Sequence, residues 1–268
     1  MEIALVYMVA GISSRFGGKI KQFAKVTDED TLIEYSLKQA IPAGFTKIIF
    51  VVGNKTEQPF KEKFGDNYKG IPIEYCLQNF NPQERDKPWG TTDALCAAKN
   101  SLNSAFVVCN GDDLYGENTF KILVDHLKNN QEEATIGYRL KNVLPEQGTV
   151  KRGIFKVRDD FVTSIEEIFD INRDNLKEKM LSDDTLCSMN ILAFHPHILI
   201  ELDRALKEFK QINARDKKKE CLLPTELNKI INSGYAKIKV YPAEDQWFGV
   251  TNPEDELEVK KQLEKCIK

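Results

Sequence analysis

The chain has 268 residues, with 38 Lys+Arg against 41 Asp+Glu for a formal net charge of −3, and 41% of its residues are hydrophobic. The missing basic excess excludes a sequence-independent nucleic-acid binder, whose affinity comes from neutralising phosphates. The hydrophobic content and low net charge exclude a disordered chain, and the length suits one large domain or two small ones.

Residues 3–9 are apolar on both faces, the pattern of a strand buried in a parallel sheet. A loop rich in Gly and Ser follows over 10–19. The periodicity predicts a helix through Leu32, Ile33, Leu37 and Ala40, ended by Pro42 and Gly44. Residues 47–52 read as a second strand, 56–64 as a helix, 71–77 as a strand and 79–89 as a polar loop with two prolines. A helix over 91–99, a strand over 105–109, a helix over 118–129 and a strand over 134–140 continue the alternation. Strands alternating with helices predict βαβ units and an α/β fold with a central, mostly parallel sheet.

The rhythm changes after about residue 145. Residues 153–157 and 161–168 predict a small β-hairpin lobe with Arg158-Asp159-Asp160 as its turn. A strand over 187–194 and a helix over 196–209, with Pro at its start, come next. The lysine-rich stretch 211–220 reads as a solvated surface loop. A helix over 223–233, a strand over 235–241 and an amphipathic helix over 254–265 close the chain. With no repeat or flexible linker, one continuous domain over 1–268 is expected.

The longest apolar runs, such as 48–52, fall far short of the ~20 residues that a membrane helix needs, and no charged-then-apolar leader opens the sequence. The six cysteines form no CxxC pair, which counts against a zinc ribbon or a dithiol site. The expectation is a soluble cytoplasmic protein with buried free thiols and no membrane partner. There are three histidines; His195 and His197 flank Pro196 at a helix start and read as structural.

Three segments carry possible chemistry. In the loop after the first strand, Gly11, Gly17 and Gly18 let backbone N–H groups approach an anion, while Arg15, Lys19 and Lys21 supply cations. Ligands bind at this edge of open α/β sheets. The spacing matches neither GxxxxGK[ST] nor GxGxxG, and an ordinary βα turn with surface cations would look similar. Next, Gly111-Asp112-Asp113 follows a buried strand to the same edge, where carboxylates suit Mg2+; a plain Asn-Gly-Asp turn is the alternative. Third, Gln78 ends a strand and precedes Pro88-Trp89-Gly90-Thr91-Thr92-Asp93-Ala94. Its amide suits a base edge, and Gly90 permits flat packing against a ring, although a capped helix after a loop has the same pattern.

Together these segments resemble the sugar-nucleotide nucleotidyltransferase family. The family's first loop looks like Ala10-Gly11-Ile12-Ser13-Ser14-Arg15 with Lys21 beyond it. Its base-contacting element looks like Gln78 and Gly90-Thr91-Thr92-Asp93-Ala94, and its Gly-Asp element like Gly111-Asp112. Further blocks at 17–22, 88–91, 148–153, 188–190 and 247–255 resemble a bacterial branch of that family, in order along nearly the whole chain.

The resemblance implies a Rossmann-like nucleotidyltransferase fold. It implies a nucleotide-binding half over 1–145 and an acceptor-binding half over 146–268. The implied reaction joins an NTP to a phosphomonoester, such as a sugar 1-phosphate, and releases pyrophosphate. By match of motif, Arg15 and Lys21 are catalytic. Ala10, Gly11, Ser13, Ser14, Gln78, Gly90, Thr91 and Asp112 bind nucleotide, Asp112 also holds Mg2+, and Gly153, Glu167 and Asn190 bind acceptor.

Three positions depart from the pattern. Ser13 stands where Gly is usual. Gly249 replaces an Asp that is the second metal ligand in the family, so that either Asp245, Thr251 or Asn252 substitutes or the second ligand is missing. Ile168 replaces a sugar-contacting Lys, which leaves phosphocholine or another small alcohol phosphate open as acceptor. A non-catalytic nucleotide-binding regulator is the alternative reading. A glycosyltransferase is disfavoured because no D-x-D occurs at 110–114.

Overall fold

The computed structural model describes residues 1–11, 17–250 and 259–263. The first half runs β1 (Ile3–Met8), α1 (Leu32–Ala40), β2 (Lys47–Val52), α2 (Glu57–Phe64), β3 (Asn67–Tyr68) and β4 (Ile71–Leu77). It continues through α3 (Thr91–Ala97), β5 (Ala105–Asn110), β6 (Asp113–Leu114), α4 (Glu117–Asn129), β7 (Glu133–Arg139) and α5 (Leu140–Val143). The second half contains β8 (Val150–Arg158), β9 (Phe161–Ile171), β10 (Leu186–Phe194), α6 (Ile198–Ile212), α7 (Leu223–Asn232), β11 (Ile238–Pro242) and β12 (Phe248–Gly249).

Ten strands form one sheet in the order β3-β4-β2-β1-β5-β10-β7-β11-β9-β8, while β12 pairs with β6 in a two-stranded sheet. The pairs β4–β2, β2–β1, β1–β5 and β7–β11 are parallel, and β10 enters antiparallel to both β5 and β7. The protein is thus an α/β fold, but its sheet is mixed rather than mostly parallel: β4-β2-β1-β5 run parallel, whereas β3, β10 and the β8–β9 pair join their neighbours antiparallel. The β8–β9 hairpin is hydrogen-bonded into the sheet, with β9 beside β11 and β8 also beside β10.

Alternation along β1 sends Leu5 and Tyr7 to one face and Ala4 and Val6 to the other. The first face packs with Ile33 and Leu37 of α1, Phe60 of α2 and Phe120 of α4. The second packs with Leu95 of α3, Leu202 of α6 and Leu227 of α7. Burial on both faces explains why the first strand is apolar throughout. Five cysteines, from Cys76 to Cys221, are free and buried. No described helix is long and apolar enough to cross a membrane.

Some boundaries move. The sixth helix begins at Ile198 with His197 as its N-cap, so Pro196 precedes the helix rather than opening it. The last strand of the main sheet begins at Ile238, because residues from Ser233 to Tyr235 make the turn that leaves α7. Of the closing helix expected over 254–265, residues 259–263 are helical and the others lie outside the described residues.

Candidate active site

A cleft of about 370 Å³ opens at the carboxyl ends of β1, β4 and β5, lined by Ala10, Gly11, Lys21, Gln78, Gly90 and Asp112 among others. Two glycines allow close packing beside it. A Cβ at Gly53 would lie 2.7 Å from Ala10 O, so the loop leaving β2 presses directly on the start of the glycine-rich loop. A Cβ at Gly111 would lie 2.3 Å from Val9 Cγ1, which holds the turn after β5 against the end of β1.

Lys21 opens a short 3-10 turn, Lys21–Phe23. Its Nζ donates to Asp112 Oδ2 at 2.6 Å, with the two side chains 13% and 30% exposed. The ammonium is therefore largely withdrawn from water while the carboxylate stays open to the cleft. Arg15, Ser13 and Ser14 lie outside the described residues.

Asp113 turns the opposite way. It is buried, Asn110 Nδ2 donates to its Oδ2 at 2.9 Å, and the Tyr115 hydroxyl lies 3.2 Å from the same oxygen. Burial, with the neighbouring Asp112 charge, pushes its carboxyl up to about 7. The Tyr115 hydroxyl also donates to Met189 O at 2.8 Å, tying the turn after β5 to β10.

The second metal ligand does not arise at 249. A Cβ on Gly249 would lie 2.3 Å from the Trp247 ring and 2.8 Å from Asp113 Oδ1. Asp245 is committed elsewhere: it accepts from Thr119 N at 2.8 Å and from Asn118 Nδ2 at 3.1 Å, capping α4. Thr251 and Asn252 lie outside the described residues. Asp112 thus offers a hard oxygen ligand in a cleft with room for phosphates. That fits Mg2+, which takes one or two carboxylates and fills its shell with phosphate oxygens and water.

Gln78 is buried, and its Nε2 donates to Gly90 O at 3.0 Å and to Asp93 Oδ2 at 2.8 Å. Gly90 is required for a reason other than flat packing on a ring. Its φ is +101°, and a Cβ would lie 2.6 Å from Cys221 O. The Thr91 hydroxyl accepts from Leu223 N at 2.8 Å, so α3 and the start of α7 are joined beside the cleft.

The stretch 211–220 is largely exposed, as expected of a solvated surface loop, but its backbone is anchored. Arg85, 5% exposed, donates to Lys87 O, Asp216 O and Lys219 O, and its guanidinium lies 3.2 Å from the Trp89 ring centre. Glu220 lines the cleft and pairs with Lys87 at 2.5 Å. Arg85 and Lys210 carry no mark in the sequence, because they meet partners more than 100 positions away, and Asp93, quoted only as part of the Gly90–Ala94 block, gains its contacts with Gln78 and Lys210 from the fold.

Gly153, Glu167 and Asn190 sit on β8, β9 and β10. Gly153 pairs in register with Glu167 and with Ser188, and its absent Cβ would lie 3.5 Å from Glu167 Oε1. Asn190 takes φ +57° where the β7–β10 register shifts, and its N–H donates to Ser188 Oγ at 3.1 Å. Although Ile168 carries no charge, Lys151 Nζ reaches Glu167 Oε2 at 2.9 Å from the facing strand.

A family model described as Nucleotidyl transferase matches residues 17–266. The chain is 27% identical over 250 residues to the bifunctional protein GlmU of Staphylococcus carnosus (strain TM300), covering 91% of this chain and 48% of that protein. It therefore spans about half the length of that curated relative. Its fold is similar to the crystal structure of a UDP-glucose pyrophosphorylase complexed with UDP-glucose, with a TM-score of 0.70 and 15% identity over 99% of this chain and 100% of that one. A putative glucose-1-phosphate thymidylyltransferase from Bacillus anthracis, in complex with a sucrose, gives a TM-score of 0.68 and 14% identity over 97% of this chain and 94% of that one.

Proposed function

The chain belongs to the nucleotidyl transferase family, and on that premise we propose that it joins an NTP to a phosphomonoester, such as a sugar 1-phosphate, with release of pyrophosphate. The observation that carries the reading is the Lys21–Asp112 pair at 2.6 Å inside the cleft, beside Gln78. A cation for phosphate, a carboxylate for metal and an amide for a base then share one cleft. The relatives named as acting on UDP-glucose and glucose 1-phosphate support the acceptor class.

In this reading an oxygen of the acceptor phosphate attacks the α-phosphorus of the NTP. The bond from that phosphorus to the bridging oxygen breaks, and its electrons leave with pyrophosphate. The nucleophile is already anionic, so no general base is needed; alignment and charge stabilisation suffice. Lys21 directs its ammonium to the α-phosphate, where charge develops. Arg15, Ser13 and Ser14 join Ala10 and Gly11 in holding the triphosphate, and Gln78, Gly90 and Thr91 line the nucleoside side. Asp112 would hold Mg2+, which supplies charge neutralisation on the phosphate oxygens. Gly153, Glu167 and Asn190, with Lys151, receive the acceptor.

Gly249 favours a second reading, a non-catalytic nucleotide-binding regulator, because no acid extends from that position. A pyrophosphate-release screen of five NTPs against a panel of phosphomonoesters with Mg2+ separates the two. Release that requires both an NTP and an acceptor is expected. Nucleotide binding without release from any pair would instead select the regulator.

A further inference from the structure

The edge of the sheet opposite the cleft carries a second, smaller cavity of about 160 Å³, lined by Glu133, His197, Tyr235 and Lys237 among others. Glu133 opens β7 with its side chain 1% exposed, and among the described residues no lysine or arginine pairs with it. The His195 backbone N–H donates to its Oε2 at 2.8 Å. Its Oε1 is buried and has no hydrogen-bond partner, although His197 Nε2 stands only 3.2 Å away. A plain imidazolium–carboxylate pair would aim the Nε2 hydrogen along that line, and here it is not so aimed. Buried carboxylates are paired, hydrogen-bonded or bound to a metal. Two ligand atoms of a tetrahedral zinc ion, with bonds of about 2.0–2.1 Å, stand about 3.3 Å apart. That is close to the separation found. The His197 side chain is 46% exposed, so the outer side of the pair is open to water. His195 stacks on His197 at 6.2 Å between ring centres, and both of its own ring nitrogens are buried without partners.

We propose that Glu133 Oε1 and His197 Nε2 form a site for a divalent ion of the zinc class, with water completing its shell. Among the described residues no three His, Cys, Asp or Glu side chains converge on one ion, so the site has two protein ligands and a modest affinity. The imidazole selects zinc or nickel over Mg2+, which takes oxygen ligands. The His195 N–H holds Oε2 and so turns Oε1 toward His197, the orienting role that groups behind a metal ligand perform. His197 is the N-cap of α6. An ion here would therefore tie the start of β7 to the corner between β10 and α6, as a structural staple. The proposal is independent of the nucleotide reading, because none of these residues lines the cleft.

The test is calorimetric titration of the full chain carrying Asp112→Asn, which silences the cleft carboxylate, with ZnCl2, NiCl2 and MgCl2. Zn2+ and Ni2+ should bind, and excess Mg2+ should not displace them. Adding His197→Ala should remove one equivalent of bound Zn2+. Adding Glu133→Gln should do the same, since its amide still accepts from the His195 N–H but offers no anionic ligand. Melting curves show whether each variant is folded; His197 is half-exposed and makes no side-chain cap on α6. The ion displaces the proton that burial favours on Glu133, so affinity should rise by about tenfold or more from about pH 6 to about pH 7. No Zn2+ binding by the Asp112→Asn chain, the same Zn2+ titration in folded His197→Ala or Glu133→Gln chains, or displacement of Zn2+ by Mg2+ overturns the proposal.

Discussion

Lys21 and Asp112 neutralise each other across 91 positions of sequence, so a phosphate entering the cleft competes with Asp112 for the ammonium. Removing a donor aimed at developing charge lowers kcat by about 10²–10³. Lys21→Ala is expected to show that loss in pyrophosphate release with little change in melting temperature, since the Asp112 carboxylate left behind stays open to the cleft and to water. Normal turnover by that variant would remove Lys21 from the chemistry. At this scale the sequence was legible in picking out the lysine, the aspartate and the strand-end glutamine, which the fold brings to one cleft. It was opaque where partners are remote. Gly90, Gly111 and Gly249 look alike as letters, yet Cys221 O, Val9 and Trp247 respectively occupy the space a side chain would need. Asp93 read as part of a helix start, and the fold sets it between Gln78, 15 positions away, and Lys210, 117 positions away.

At the scale of elements, Asp245 decides how α4 begins. The N-cap, Gly116, has φ +89° and no side chain to offer, and a Cβ there would lie 2.2 Å from Asp245. The cap is instead supplied from the loop before β12, 126 positions away, by Asp245 Oδ2 accepting from Thr119 N. Losing a cap of this kind costs about 0.5–2 kcal/mol. Asp245→Ala should therefore lower the melting temperature by about 1–8 °C, while Asp245→Asn, which keeps an acceptor, should lose less. Mg2+-dependent pyrophosphate release should persist in both. A variant that keeps its melting temperature but loses its response to Mg2+ would instead make Asp245 a metal ligand. Helices and strands were readable here because their apolar periodicity is local; the source of this cap was not. The same holds for 211–220, whose lysines suggested solvent while its backbone carbonyls are bound by Arg85.

Over the whole molecule, the βαβ rhythm predicted the parallel half of the sheet. It could not predict that β10 would enter antiparallel between β5 and β7, because that insertion depends on which edges remain unpaired once the first strands have assembled. One consequence lies at the opposite edge from the cleft. Glu133 opens β7 with its side chain 1% exposed, accepts from His195 N at 2.8 Å, and has His197 Nε2 at 3.2 Å from its other oxygen. Burial pushes its carboxyl up to about 8, while burial lowers His195. The two act in opposite directions. The folded state holds the Glu133 proton more tightly than the unfolded chain does, so its contribution is full below about pH 4.5 and is lost as pH rises through about 8. His195 favours its neutral form, so its contribution is present above about pH 6.5 and is lost as pH falls through its lowered value. Glu133→Gln keeps an acceptor for the His195 N–H and removes the titration. It should match the native chain near pH 4.5 and exceed it by about 2–4 kcal/mol above pH 8, after allowance for partial solvation of the shift. Urea unfolding of both chains from about pH 4.5 to 9 reads the difference directly. If the two curves run parallel across that range, Glu133 does not enter the fold as a neutral acid.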